Sequence, residues 1–73
     1  MTNIKLIRVV KDFTQIKVQL DTGISQSTLS KYESGNTVPT TDNLLILAKY
    51  YETSVDFLLD LTDEQKPYPP KKA

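Results

Sequence analysis

The 73-residue sequence predicts an all-α fold, one compact domain of five short helices. Three observations predict it. Apolar residues recur at helical spacing, as in Leu44, Leu45, Leu47, Ala48 and Tyr51, and no stretch alternates as a strand would. Thr14, Ser25, Thr40 and Ser54 each stand just ahead of a helical segment, where a hydroxyl can accept a bond from an orphaned backbone N–H. Gly23, Gly35 and Pro39 fall where helices must stop.

The first helix is expected over residues 3–11, with Asp12 breaking it. The second covers 14–20, capped by Thr14 and followed by a break centred on Asp21-Thr22-Gly23, in which Gly23 takes the positive φ that other residues resist. The third covers 25–34, with Ser25 as N-cap, Leu29 and Tyr32 facing inward and Gly35 at its left-handed end. Residues 36–39 form a connecting loop. The fourth helix covers 41–51, capped by Thr40, with Asp42 in its electropositive first turn. Ser54 caps a fifth over 55–59, which presents Val55, Leu58 and Leu59. The domain is expected to occupy residues 1–63, and 64–73 reads as a flexible Pro/Lys-rich tail.

Composition removes several classes of function. With no cysteine or histidine, the chain builds no disulfide, no structural zinc site and no Cys/His nucleophile system. No EF-hand spacing or glycine-rich phosphate loop appears, so no metal or cofactor is expected. No apolar run reaches membrane-spanning length, and the first ten residues, interrupted by Lys5 and Arg8, do not make a signal peptide. The chain reads as soluble and cytoplasmic. It does not read as an enzyme, because Glu52 and Asp56 lie on an acidic helical surface with no base, nucleophile or pocket implied.

Net charge is zero, yet it is unevenly distributed. Residues 1–40 carry Lys5, Arg8, Lys11, Lys17 and Lys31 against Asp12, Asp21 and Glu33, a net of +2. Residues 41–65 carry Lys49 against Asp42, Glu52, Asp56, Asp60, Asp63 and Glu64, a net of −5, and Lys66, Lys71 and Lys72 add +3. The basic half holds the second and third helices. Two short helices joined by a tight glycine-containing turn form the helix-turn-helix unit, whose second helix lies in a DNA major groove. Here that second helix is polar where simple packing would not require it.

Several features at fixed separations carry a resemblance: Arg8, Thr14-Gln15, Gly23-Ile24-Ser25-Gln26, the run from Leu29 to Gly35, Pro39, Leu44, Ala48-Lys49-Tyr50 and the run from Val55 to Leu59. Over about residues 4–62 the chain resembles the Cro and phage-repressor (XRE-like) helix-turn-helix proteins. The resemblance implies a five-helix lambda-repressor-like domain, a prokaryotic or phage source, and sequence-specific binding to double-stranded operator DNA as a homodimer. No small-molecule ligand and no membrane enter that reading.

Matched position by position, the resemblance assigns base contacts to Gln26 and Ser27 at the start of the third helix, and to Ser30 and Lys31 one turn on. A glutamine amide bonds adenine N6 and N7 in a bidentate way, a serine hydroxyl fits several bases, and Lys31 reaches guanine or a phosphate. Thr14 and Gln15, at the N-terminus of the second helix, match phosphate-contact positions, as does Asn36, whose backbone N–H is expected to matter as much as its amide. The plain alternatives are an exposed helix-start residue for Gln26 and a loop residue for Asn36. Arg8 and Glu33 match a shielded ion pair between the first and third helices, a brace for the reading helix rather than a catalytic pair.

The sequence also departs from the family. Gln19 stands where a small residue lets the two motif helices approach, and Thr22 where Leu or Val plugs the core. Leu6, Val9, Val10, Ile16 and Leu20 are apolar where relatives are polar. Leu6, Val9, Val10 and Phe13 make a second stripe beside the Ile4/Ile7 face. The favoured expectation is a local rotation or repacking that hides this stripe. The rivals are an exposed patch for a partner or second subunit, and looser packing. On either of the first two readings Leu6→Asp or Val10→Asp should destabilise the fold or disrupt association.

The function expected is a transcriptional regulator, in the first place a repressor, that reads a short operator through the third helix. The rivals are a protein-binding adaptor using the apolar stripe of the first helix, and an antitoxin or restriction-modification controller within the same DNA-binding class. For the subunit interface the sequence offers the region of Tyr51, Phe57 and Leu61, or the first helix.

Overall fold

The computed structural model describes residues 1–69. Five helices appear: α1 (Asn3–Val10), α2 (Gln15–Thr22), α3 (Gln26–Ser34), α4 (Thr41–Tyr50) and α5 (Val55–Leu58). No strand occurs among the described residues. Every helix starts on a hydroxyl: Thr2, Thr14, Ser25, Thr40 and Ser54 are extended, and each accepts from the N–H three residues on.

The helix ends are as local as the starts. Gly23 (φ 79°) and Gly35 (φ 81°) take the left-handed step after α2 and α3. After α1, α4 and α5 the same step falls to Asp12 (φ 61°), Glu52 (φ 56°) and Asp60 (φ 63°). Paired N–H bonds reach back across each of these ends, for example Asp12 to the Val9 carbonyl and Phe13 to that of Arg8.

α2 runs through Asp21 and Thr22 instead of breaking before them, a correction to the expected boundary. Both side chains find partners that suit a helix. Lys17 Nζ donates to Asp21 at 3.0 Å one turn away, and the Thr22 hydroxyl donates to the Val18 carbonyl at 2.7 Å.

The core lies between the helices and holds Ile4, Ile7, Val18, Ile24, Leu29, Tyr32, Leu44, Leu47, Tyr51, Phe57 and Leu58. α1 packs on α3 and α5, while α2 packs on α3 and α4. Phe13, Tyr50 and Tyr51 form an aromatic cluster at the end of α4, with ring centroids 5.3–6.4 Å apart. Asn3 joins the start of α1 to the far end of the domain: its N–H donates to Asp60 and its side-chain amide to the Phe57 and Thr62 carbonyls. No helix among the described residues is long and apolar enough to cross a membrane.

Several sequence expectations are corrected here. α1 is not rotated: Ile4 and Ile7 are buried, whereas Val9 and Val10 are 51% and 57% exposed. A short helix on the domain surface has one neighbour-facing side, and the Ile4/Ile7 side holds it. Leu6 and Phe13 are half-buried against the core edge, but Val10→Asp has no buried site to disrupt. Leu45, read as part of the inward stripe of α4, faces outward. Tyr51 and Phe57 are buried and cannot supply a subunit interface, while Leu61 is exposed. In the expected tail, the Tyr68 hydroxyl donates to Asp56. Residues 70–73, with Lys71 and Lys72, lie outside the described residues.

Candidate nucleic-acid interface

The site is built on the angle between α2 and α3. Gly23 turns the chain, Ser25 caps α3, and the first residues of α3 are left on the surface: Gln26, Ser27, Ser30 and Lys31 are all exposed. The other side of α3 is anchored by buried Leu29, Tyr32 and Glu33. A nine-residue helix thus presents four polar side chains at i, i+1, i+4 and i+5 while its opposite face is fixed in the core.

A run of hydrogen bonds ties this face to the frame. Arg8 Nε and Nη2 donate to the two carboxylate oxygens of Glu33 at 2.6 and 2.9 Å, and Arg8 Nη1 donates to the Phe13 carbonyl at 2.8 Å. Gln15 Nε2 donates to the same carboxylate at 3.1 Å. Gln26 Nε2 in turn donates to Gln15 Oε1 at 3.4 Å, a longer and weaker contact. The order is therefore Gln26, Gln15, Glu33, Arg8, and it spans α3, α2 and α1. The ion pair is largely shielded, with side chains 14% and 4% exposed, and the hydrogen bond to Glu33 raises the already high pKa of Arg8.

Gln19 is the residue that sequence reasoning misjudged. Half-buried, it does not crowd the helix contact. Its Oε1 accepts the backbone N–H of Gln26 at 2.6 Å, satisfying the first orphan donor of α3 from the preceding helix. The side chain thereby staples the two motif helices at the point where the reading face begins. No local signal announces this bond, because it exists only once Gly23 has reversed the chain. Thr22 is likewise no misfit, since its hydroxyl also accepts the Ile24 N–H at 3.2 Å.

Thr14 is exposed as the cap of α2, and its oxygen accepts the Lys17 N–H. Asn36 is exposed after α3, but its backbone N–H already donates to the Lys31 carbonyl at 3.1 Å. Only its side-chain amide is left to act outward, which corrects the expectation for its main chain. A shallow cavity of about 170 Å³ opens between α1, the start of α2 and α3, lined by Lys5, Arg8, Gln15, Ser30, Glu33 and Ser34. It adds Lys5, which sequence reading had not singled out, to the rim of this face. No group of three or more metal-binding side chains occurs among the described residues.

Sequence comparison matches residues 4–58 to the helix-turn-helix family. An uncharacterized HTH-type transcriptional regulator of Bacillus subtilis (strain 168), YobD, is 34% identical over 64 residues, which cover 88% of this chain. The matched stretch covers only 57% of that protein. No solved structure matches the chain.

Proposed function

This chain belongs to the helix-turn-helix family, and on that premise we propose that it is a sequence-specific DNA-binding transcriptional regulator, a repressor, acting in the cytoplasm. The observation that carries the reading is the exposed polar start of α3, held by Gln19 at its backbone and by the Gln15–Glu33–Arg8 network behind it. The reading unit is residues 1–63.

In this reading α3 enters the major groove. Gln26 bonds adenine through its amide, Ser27 and Ser30 meet neighbouring base edges, and Lys31 takes guanine or a phosphate. Thr14, Gln15 and the amide of Asn36 contact phosphate and set the register, helped by the positive N-terminus of α2. The 3.4 Å Gln26–Gln15 contact biases the reading amide toward α2 before DNA arrives and is weak enough to be exchanged for a base. A homodimer would place two such helices about 34–36 Å apart on a partly palindromic operator. Repression follows from occlusion of RNA polymerase.

A second reading has its own observation. Val9, Val10 and Leu20 are exposed apolar residues on α1 and α2, and such side chains suit a protein-binding adaptor. Titration with random duplex DNA across a salt series separates the two. A DNA reader shows affinity falling with salt at a log–log slope of several units, because each neutralised phosphate releases counterions. A flat response, with no duplex retained in a random-sequence selection, would favour the adaptor.

A further inference from the structure

We propose that the outer face of α4 is a self-complementary surface on which a second copy of this chain docks antiparallel about a two-fold axis. The assignment deepens the homodimer reading above and rests on it. Asp42, Leu45, Ile46 and Lys49 lie at i, i+3, i+4 and i+7 of α4, so they share one face. All four are exposed, Leu45 at 58% and Ile46 at 41%, while Leu44 and Leu47 on the other side are buried. The face is thus a short stripe with an acid at one end, two large aliphatic side chains in the middle and a base at the other.

The spacing is symmetric. A two-fold axis passing between residues 45 and 46 sets Asp42 opposite Lys49 of the second copy, and Leu45 opposite Ile46, with the same contacts repeated on the other side. This is the isologous pattern that a closed dimer requires. Parallel docking would bring Asp42 against Asp42 and Lys49 against Lys49, so the charges select the antiparallel arrangement. That arrangement also opposes the two helix dipoles. Among the described residues neither charge is engaged in an ion pair, the pairs there being Arg8–Glu33 and Lys17–Asp21. One helix of ten residues makes a small seam, so association is weak, roughly micromolar to millimolar.

Sedimentation equilibrium of the full chain over that concentration range tests the assignment, with thermal melts reporting that each variant is folded. Asp42→Lys and Lys49→Asp each place like charges at both ends of the seam and should weaken self-association about tenfold or more. The double swap restores opposite charges and should recover the wild-type dissociation constant. An equimolar mixture of the two single variants should form a mixed dimer tighter than either alone. Val10→Asp, on the other apolar face, should leave the mass unchanged. Single variants that associate as wild type, or a double swap no better than the singles, would overturn the α4 seam and leave the homodimer reading standing on another surface. A wild-type chain that stays monomeric at every concentration, with and without selected duplex, would remove both.

Discussion

Glu33→Gln should cost this domain about 3–5 kcal/mol, the range for stranding one partner of a shielded ion pair. The structure places the cost toward the lower end. The Glu33 carboxylate accepts three hydrogen bonds, two from Arg8 at 2.6 and 2.9 Å and one from Gln15 at 3.1 Å. An amide keeps one acceptor oxygen and turns an NH₂ group toward donors, so at least one of these bonds becomes a donor–donor clash. Arg8 then keeps its charge with no anionic partner, held by the Phe13 carbonyl and at most the one amide oxygen. Its side chain is 14% exposed, so water offsets some of the loss. A chain of 73 residues has a total stability of about 4–11 kcal/mol, so the variant should sit near the edge of folding. Urea unfolding followed by far-UV circular dichroism measures the difference. Replacing both partners, Arg8→Met with Glu33→Leu, removes the stranded charge and should cost clearly less than the two single changes added together. A loss below about 1 kcal/mol for Glu33→Gln, or strict additivity in the double variant, would refute the reasoning.

Gln19→Met keeps the length of the side chain but removes the acceptor for the Gln26 N–H, and should cost about 0.5–1.5 kcal/mol in thermal melts. Gln19→Glu keeps the acceptor at a positive helix end and should cost less; equal losses would mean that packing alone matters. Glu52→Gly relieves a left-handed step at φ 56° in an exposed residue and should stabilise the domain by about 0.5–1 kcal/mol, read as a higher urea midpoint. Partial burial and the bond donated to Asp21 push the Tyr50 hydroxyl up to about 12. Its contribution to stability is therefore present below the unfolded value near 10 and is lost as pH rises from about 10 to 12. The same bond, with Lys17, lowers the pKa of Asp21, whose contribution is present above about 4 and fades as pH falls through the lowered value. Tyr50→Phe should flatten both limbs of the stability–pH curve, and unchanged limbs would contradict the pairing.

What could be read from the sequence was what is local. Thr14, Ser25, Thr40 and Ser54 name their helices because a cap acts within three residues, and Gly23 and Gly35 mark ends because only the backbone step matters there. The start of α3 on the surface was equally legible, since Leu29 and Tyr32 leave Gln26, Ser27, Ser30 and Lys31 on the other side. The apolar second stripe of α1 misled for a physical reason. Periodicity reports that a face is apolar but not whether a neighbour stands over it, and Ile4/Ile7 had already taken the one buried side. Gln19 and Thr22 misled in the opposite sense. A family pattern asks for apolar atoms there, yet the bonds to Gln26, Val18 and Ile24 satisfy their polar ends in place. Of the contacts between distant residues, the Arg8–Glu33 pair was legible through the family pattern, and others were not. The Thr2 hydroxyl donating to the Glu33 carbonyl, and Asn3 bonded to Asp60, join parts of the chain that share no local signal.

The central claim is that α3 reads DNA sequence through Gln26. Selection from a random duplex pool, followed by titration of wild type and Gln26→Ala on the selected site and on random DNA at one fixed salt concentration, tests it most directly. The expected loss is about 1–3 kcal/mol on the selected site, with little change on random DNA. Equal losses on both would make Gln26 a positioning contact rather than a reader, and a pool from which no duplex is retained would contradict the claim itself.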